Sequence, residues 1–195
     1  MVCRWMMIKV ASGWRRLLTG FSRQSLILGA LLTVLGGGLG ACQQPDLPQG
    51  RMAVVQYIVN GQTIEVLDPN RRPALIERVR LIGLDAPDLE QVPWGSDAKQ
   101  YLEERLLRQS VLLETDVEAQ DRFERRLAYV WLGQELINES LIADGYALAV
   151  ARSPNLKHDP RLTRAQEKAR LLGLGIWNPD SPLRTTPDEF RAEGR

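Results

Sequence analysis

The fold class this sequence predicts is mainly β with helices: a five-stranded barrel of the OB type carrying about three helices. Three observations point to it. Short apolar or alternating runs recur at residues 52–59, 62–67, 75–84, 110–116 and 125–132. A helical pattern interrupts them once, between the third run and the fourth, and two further helical patterns follow the last run. Small barrels of this order commonly bind nucleic acids or other oligomers on their faces.

Each element has its own local reason. Residues 52–59 (MAVVQYIV) are apolar and β-rich, and Asn60-Gly61 after them is a strong hairpin signal, so residues 62–67 (QTIEVL) pair back. Asp68 to Pro73 is a polar loop. Residues 75–84 alternate again, with Ile76, Arg78, Arg80 and Ile82 on one parity. DAPDLEQVPWG is a proline-rich loop, after which Ser96 opens a helix with Ala98, Tyr101, Leu102, Leu106 and Gln109 near helical spacing and Asp97 suited to its first turn. SVLLETD (110–116) and RRLAYVWL (125–132) are the last strands. Asn138 is expected to cap a short helix that stops at Gly145. Asp159-Pro160 opens the final helix, whose stripe is Leu162, Ala165, Ala169 and Leu172 and whose stop is Gly173.

The chain has 195 residues, 25 basic and 24 acidic, for a net charge of +1. That neutrality is uneven. Residues 1–41 hold Arg4, Lys9, Arg15, Arg16 and Arg23 and no acid, followed by an apolar run from Leu26 to Leu35 and then Gly36-Gly37-Gly38. A basic start, a short apolar core and small residues mark an export signal, and the core falls short of the ~20 residues that span a bilayer. Removing those five basic residues from 25 leaves 20 against 24 acids, a net charge of −4 for the remainder. Two cysteines cannot build a disulfide scaffold or a zinc cluster, and one histidine leaves little room for histidine chemistry. The expected organisation is an export segment at 1–41, a tether at 42–51, a folded domain at 52–178 and a loose, proline-bearing and charged tail at 179–195.

Charged groups gather in three places. Arg80 ends a strand, and Asp85 and Asp88 sit on the loop after it; loop carboxylates suit a hard cation such as calcium. DRFERR, Asp121 to Arg126, stands at a strand entry, where arginines can clamp a phosphate by paired hydrogen bonds. The hairpin NGQT, Asn60 to Thr63, is the third. On residue chemistry alone, Asp85 and Asp88 also fit a simple turn, and Asp121 with Arg125 fits an ordinary ion pair. Trp94, Trp131 and Trp177 suit the core better than a carbohydrate platform, and His158 reads as a surface residue.

RLIGLDAP, then a helix, then DRFERRLAYVWL, then IN-x4-I-x2-GYA and GLGIWNP together resemble the staphylococcal nuclease (thermonuclease) family over roughly residues 52–178. The resemblance implies an OB barrel with three helices and calcium-dependent cleavage of phosphodiester bonds in DNA and RNA, single strands preferred, by a monomer. It implies that Arg80 and Arg125 contact the phosphate, and that Asp85 and the backbone carbonyl of Ala86 ligate calcium. Phe123 falls where the family has a tyrosine beside the nucleotide, with Arg122 next to it as a further substrate-binding residue. LGAC, ending at Cys42, resembles a bacterial lipobox. That resemblance implies cleavage before Cys42, lipid on its sulfur and amino group, and a domain held at a cell membrane or outer membrane, in the periplasm or otherwise outside the cytoplasm.

Two departures stand out. The family's hairpin reads Asp-Gly-Asp-Thr where this chain has Asn60-Gly61-Gln62-Thr63, so a charged calcium ligand becomes the neutral amide of Gln62. The family's catalytic glutamate corresponds to Asp88, one methylene shorter, which displaces the carboxylate by roughly 1.5 Å. A misplacement of about 1 Å can cost ~100-fold in a positioned reaction. Glu65 is a poor substitute for the lost ligand because alternation puts it on the opposite face from Gln62, whereas Glu90 is near enough along the loop to swing in. Two readings follow: a weakened, calcium-dependent, sugar-nonspecific nuclease with Arg80, Asp88 and Arg125 as catalytic residues, or an OB module that binds nucleic acid or protein without chemistry.

Overall fold

A computed structural model describes residues 48–70 and 72–194. The expected export segment and Cys42 lie outside the described residues. The elements in chain order are β1 (Arg51–Asn60), β2 (Thr63–Leu67), β3 (Ile76–Leu81), β4 (Leu84–Asp85), α1 (Trp94–Leu106), β5 (Ser110–Glu114), β6 (Arg126–Leu132), β7 (Glu135–Leu136), α2 (Ile137–Ala143), β8 (Leu148–Ala149), α3 (Asp159–Leu172) and α4 (Pro187–Glu193), with a turn of 3-10 helix at Gly175–Trp177.

Five strands close on themselves. β1 pairs antiparallel with β2 and β5, β2 with β3, and β5 with β6, while β3 and β6 run parallel and complete the ring. This is the mixed five-stranded barrel expected of an OB fold. The closing seam sets Arg80 opposite Leu127, and the β2–β3 ladder sets Thr63 opposite Arg80. The end of β3 is thereby fixed from both sides. Inward residues are small or branched: Ala53, Val55, Ile64, Val66, Val79, Leu81, Val111, Ala128 and Val130 are fully buried.

α1 packs on β1 and α2 on β6, while α3 packs on α2 and β8. α1 points Ala98, Leu102 and Leu106 inward at spacings of four residues, one face of a helix. α3 does the same with Leu162, Ala165 and Ala169, then stops at Gly173, whose φ of 62° is the left-handed cap glycine adopts without strain. Asn138 differs from its expected capping role. It lies inside α2, fully buried, accepting from the Val130 N–H at 2.8 Å and donating to the Ile82 carbonyl at 2.8 Å. It pins the strand end beside the site to the barrel wall, a task invisible to a capping pattern.

Residues 179–194, expected as a loose tail, include a fourth short helix. Thr186 and Glu189 form a reciprocal capping box at the start of α4, with Pro187 in its first turn. Those signals are local, and the segment's overall charge and proline content mask them. None of the helices among the described residues is long and apolar enough to cross a membrane.

Candidate active site

The hairpin turn, the loop after β3 and the start of α1 meet at one end of the barrel. Gly61 is obligatory there, because a Cβ at that position would stand 2.6 Å from the Ala98 Cβ and 2.9 Å from the Ala86 Cβ. That close approach lets the Gln62 side-chain oxygen accept from the Ala86 N–H at 3.0 Å. A Cβ at Gly95 would meet the Asp88 carbonyl at 1.9 Å, so the first turn of α1 rests directly on the loop carrying Asp88. Sheet pairing of Asp85 with Leu148 brings in the chain that leads to Arg152.

Asp85 is the buried acid of this region, 2% exposed. Its Oδ1 is 3.4 Å from Arg80 Nη2, and its Oδ2 is 2.6 Å from Arg191 Nη2 and 4.0 Å from Arg152 Nη2. Arg80 also donates to the Leu84 carbonyl at 3.2 Å, while its buried Nη1 has no hydrogen-bond partner. Burial pulls the Arg80 guanidinium down to about 10; Asp85 opposes that fall, and the nearby Arg125, Arg152 and Arg191 add to it. A cation held in such a place is energetically eager for an anion.

Arg125 is oriented by a tight turn. Asp121 Oδ1 accepts the N–H groups of Phe123 and Arg125, and Oδ2 accepts Arg125 Nε at 2.8 Å. Burial raises the Asp121 carboxyl, but these bonds outweigh it and hold its pKa below the usual aspartate value. Arg80, Arg125 and Arg152 line one cavity of about 250 Å³, together with Glu118, Asp121 and Asn155. Phe123 is 63% exposed, two residues before Arg125, with the guanidinium carbons of Arg122 and Arg125 at 4.7 and 5.4 Å from its ring centre.

Arg80 and Arg125 thus line one cavity with Asp85 against Arg80, while Phe123 lines a second, open hollow that also includes Glu65, Arg78 and Arg125, with Arg122 over its ring. Asp88 lies apart from the cavity lining. Its carboxylate is half-exposed and 3.6 Å from Arg191 Nη1, and its N–H is held by Gln91 Oε1 at 2.9 Å. Arg78, on the same strand parity as Arg80, and Arg126 of the DRFERR segment are committed elsewhere, to Glu65 at 2.9 Å and Glu77 at 2.6 Å. Glu65 thus stays off the site. Glu90 is exposed and lines a surface hollow with Ser181, Leu183 and Thr185. The tryptophans are scattered: Trp131 is buried with its Nε1–H on Glu114, Trp177 stacks with Arg170, and Trp94 opens α1. His158, expected at the surface, is half-buried, with Nε2 2.8 Å from Glu114 Oε2 and its ring against Tyr129 and Trp131.

Residues 78–179 match the family described as Staphylococcal nuclease homologue, which is more than half of the chain and includes Arg80, Asp85 and Arg125. The chain belongs to this nuclease family. Among its relatives, the thermonuclease of Staphylococcus intermedius is 37% identical over 134 residues, covering 66% of this chain and 77% of that protein. The thermonuclease of Staphylococcus hyicus is 36% identical over 126 residues, covering 62% and 72%. A protein of Haemophilus influenzae described as an uncharacterized endonuclease is 30% identical over 139 residues, covering 71% and 72%. Family membership gives a nuclease-type barrel, and the matched span includes the cavity-lining Arg80 and Arg125. Arg152 and Arg191 were missed by sequence reasoning. Arg152 follows a two-residue strand, and Arg191 belongs to the segment whose composition reads as a tail; neither carries a periodic signal.

Proposed function

We propose that this chain hydrolyses phosphodiester bonds of single-stranded DNA or RNA, with the scissile phosphate seated between Arg80 and Arg125. The observation that carries the reading is the buried, unpartnered Arg80 Nη1 next to a cavity that it shares with an Arg125 pre-aimed by Asp121. Oriented guanidinium donors stabilise the charge that grows on phosphate oxygens in the transition state. The resemblance assigns the proton of the attacking water to Asp88, whose half-exposed carboxylate stands outside the cavity lining beside Arg191 and must turn toward the phosphate to accept it. The water oxygen bonds to phosphorus, the bond from phosphorus to the departing sugar oxygen breaks, and that oxygen takes a proton from solvent. Phe123 offers an exposed ring on which any base can stack, in keeping with cleavage that ignores sequence.

The calcium implied by the resemblance does not fit the donors as they stand. Calcium takes 6–8 oxygen ligands, carboxylates among them. Here the Asp85 oxygens are engaged by guanidinium groups, and the Gln62 oxygen is neutral and bonded to the Ala86 N–H. Three arginines surround Asp85, with Asp88 beyond one of them. Among the described residues, no three His, Cys, Asp or Glu side chains gather at one point. No step is routed through a metal.

The test is cleavage of a single-stranded oligonucleotide by the full chain and by Arg125→Ala. Loss of one oriented donor is expected to lower kcat by about 100-fold or more. Equal inertness of both proteins overturns the reading. The neutral amide at Gln62 favours a second reading, an OB module without chemistry, which expects tight oligonucleotide binding with no cleavage. The reading also includes export by residues 1–41, lipid on Cys42, and a monomer tethered to a membrane outside the cytoplasm. Mass spectrometry of the protein from membranes, compared with Cys42→Ser, tests it. Full-length Cys42→Ser released from the membrane supports the anchor, and a wild-type mass without lipid overturns it.

A further inference from the structure

Arg191 is delivered to the site by a segment outside the barrel. Its Nη2 is hydrogen-bonded to Asp85 Oδ2 at 2.6 Å, while its Nη1, buried and without a hydrogen-bond partner, lies 3.6 Å from Asp88 Oδ2, so one guanidinium is bonded to the first acid of the loop and stands within ion-pair range of the second, with Asp188 of its own helix 3.7 Å from Nη2. Several independent contacts hold it there. Gln91, 6% exposed, accepts the Asp88 N–H with its oxygen and donates from Nε2 to the Thr185 carbonyl at 2.9 Å, tying the acid loop to the approach of α4. The Leu183 N–H donates to the Ile176 carbonyl at 2.9 Å, and the Thr186–Glu189 box sets the start of α4.

We infer that Arg191 is the built-in cation of this site: a positioning residue that holds Asp85 and Asp88 where a divalent ion would otherwise hold them, and thereby excludes that ion. Carboxylates attract whichever cation is pre-placed. A guanidinium supplied by the same chain is present at high effective concentration and costs no binding entropy beyond that of docking α4. The replacement of an acid by Gln62 lowers the negative charge offered to a divalent ion, while a singly charged guanidinium needs less of it. The two features point the same way. The consequence for cleavage, independence from divalent metal, rests on the nuclease reading; the exclusion of calcium does not.

The full chain, Arg191→Ala, Arg191→Lys and the double variant Asp85→Asn/Arg191→Ala are titrated with calcium by calorimetry. They are also assayed on a single-stranded oligonucleotide with EDTA or with millimolar calcium. Circular dichroism confirms that each is folded. Arg191→Ala is expected to bind calcium at least about tenfold more tightly than the wild type, because a positive charge has left the carboxylates. The double variant loses that gain. Wild-type cleavage is expected to persist in EDTA; Arg191→Ala falls about 100-fold there and recovers with calcium, and Arg191→Lys keeps part of its EDTA-resistant rate. Equal calcium affinity in wild type and Arg191→Ala, including no binding by either, overturns the inference. So does wild-type cleavage that requires calcium. If no variant cleaves under any condition while Arg191→Ala gains calcium binding, the inference stands and the nuclease reading fails.

Discussion

The Asp121 carboxylate holds Arg125 at both ends, accepting its backbone N–H at 3.0 Å and its side-chain Nε at 2.8 Å. An arginine so fixed meets a phosphate with little rotamer freedom left to lose. Asp121→Asn keeps the size and loses the charge, so Arg125 should swing. Oligonucleotide cleavage is expected to fall by roughly 10- to 100-fold, with a larger change in kcat than in KM.

The same residue gives a pH signature. The Asp121 pKa is depressed in the folded chain below its ordinary 3.8. Its contribution to stability is therefore complete above 3.8 and is lost as pH falls through the lower folded value. Melting temperatures of wild type and Asp121→Asn should differ at neutral pH and converge on the acid side of that value.

Glu114 is buried, 2% exposed, yet polar partners surround it: the Lys157 ammonium at 2.6 Å, His158 Nε2 at 2.8 Å, and the Trp131 indole N–H at 2.8 Å. Burial pushes its carboxyl upward, and the three hydrogen bonds pull it further down, leaving it below the usual 4.5. Glu114→Gln strips the charge from the centre of this cluster. Lys157 is half-exposed, so water can take up its charge, and a loss of about 1–3 kcal/mol in urea unfolding at neutral pH is expected, the range for weakening hydrogen bonds to a charged group. The gap to wild type should shrink as the medium is acidified below 4.5, because protonation removes the same charge.

The barrel strands were legible because they are short alternating or apolar runs bounded by turn signals, β6 being buried on both faces from Ala128 to Trp131, and the long helices because their stripes repeat every three or four residues. Arg80 and Arg125 were legible because they stand inside motifs whose order survives. Asn138 was misread because a capping asparagine and a buried asparagine look alike in sequence; only the packing of α2 against β6 and Ile82 distinguishes them. Arg126, offered with DRFERR as a phosphate clamp, turns away because a basic residue's neighbours across strands decide its direction, and here that neighbour is Glu77. Arg191 was hidden for a different reason: its role depends on where α4 docks, and seven residues carry too little pattern to announce a docking site.

Asn138 is itself a sharp test of the fold. Replacing it with Ala leaves a buried N–H on Val130 and a buried carbonyl on Ile82 without partners. Each orphaned group costs about 1–3 kcal/mol, so a loss of about 3–4 kcal/mol is expected from urea unfolding. Asn138→Asp should be little better, because it restores the acceptor for Val130 but not the donor for Ile82.

The hairpin offers a prediction that links stability to the site. Gly61 sits where a Cβ would stand 2.6 Å from the Ala98 Cβ and 2.9 Å from the Ala86 Cβ, a separation that real side chains do not tolerate. The Ala98 methyl is fixed on α1 and the Ala86 methyl on the acid loop, and both residues are fully buried, so neither can retreat cheaply. Gly61→Ala must therefore push the turn outward. Overpacking of this kind costs typically 1–3 kcal/mol, which denaturant unfolding would register. The displacement also separates Gln62 from the Ala86 N–H and loosens the backbone beside Asp85. Amide exchange at Ala86 should accelerate in Gly61→Ala by more than at the distant barrel residue Val111, which shares only the global loss of stability. Equal acceleration at both positions would mean that the hairpin stabilises the barrel without positioning the acid loop.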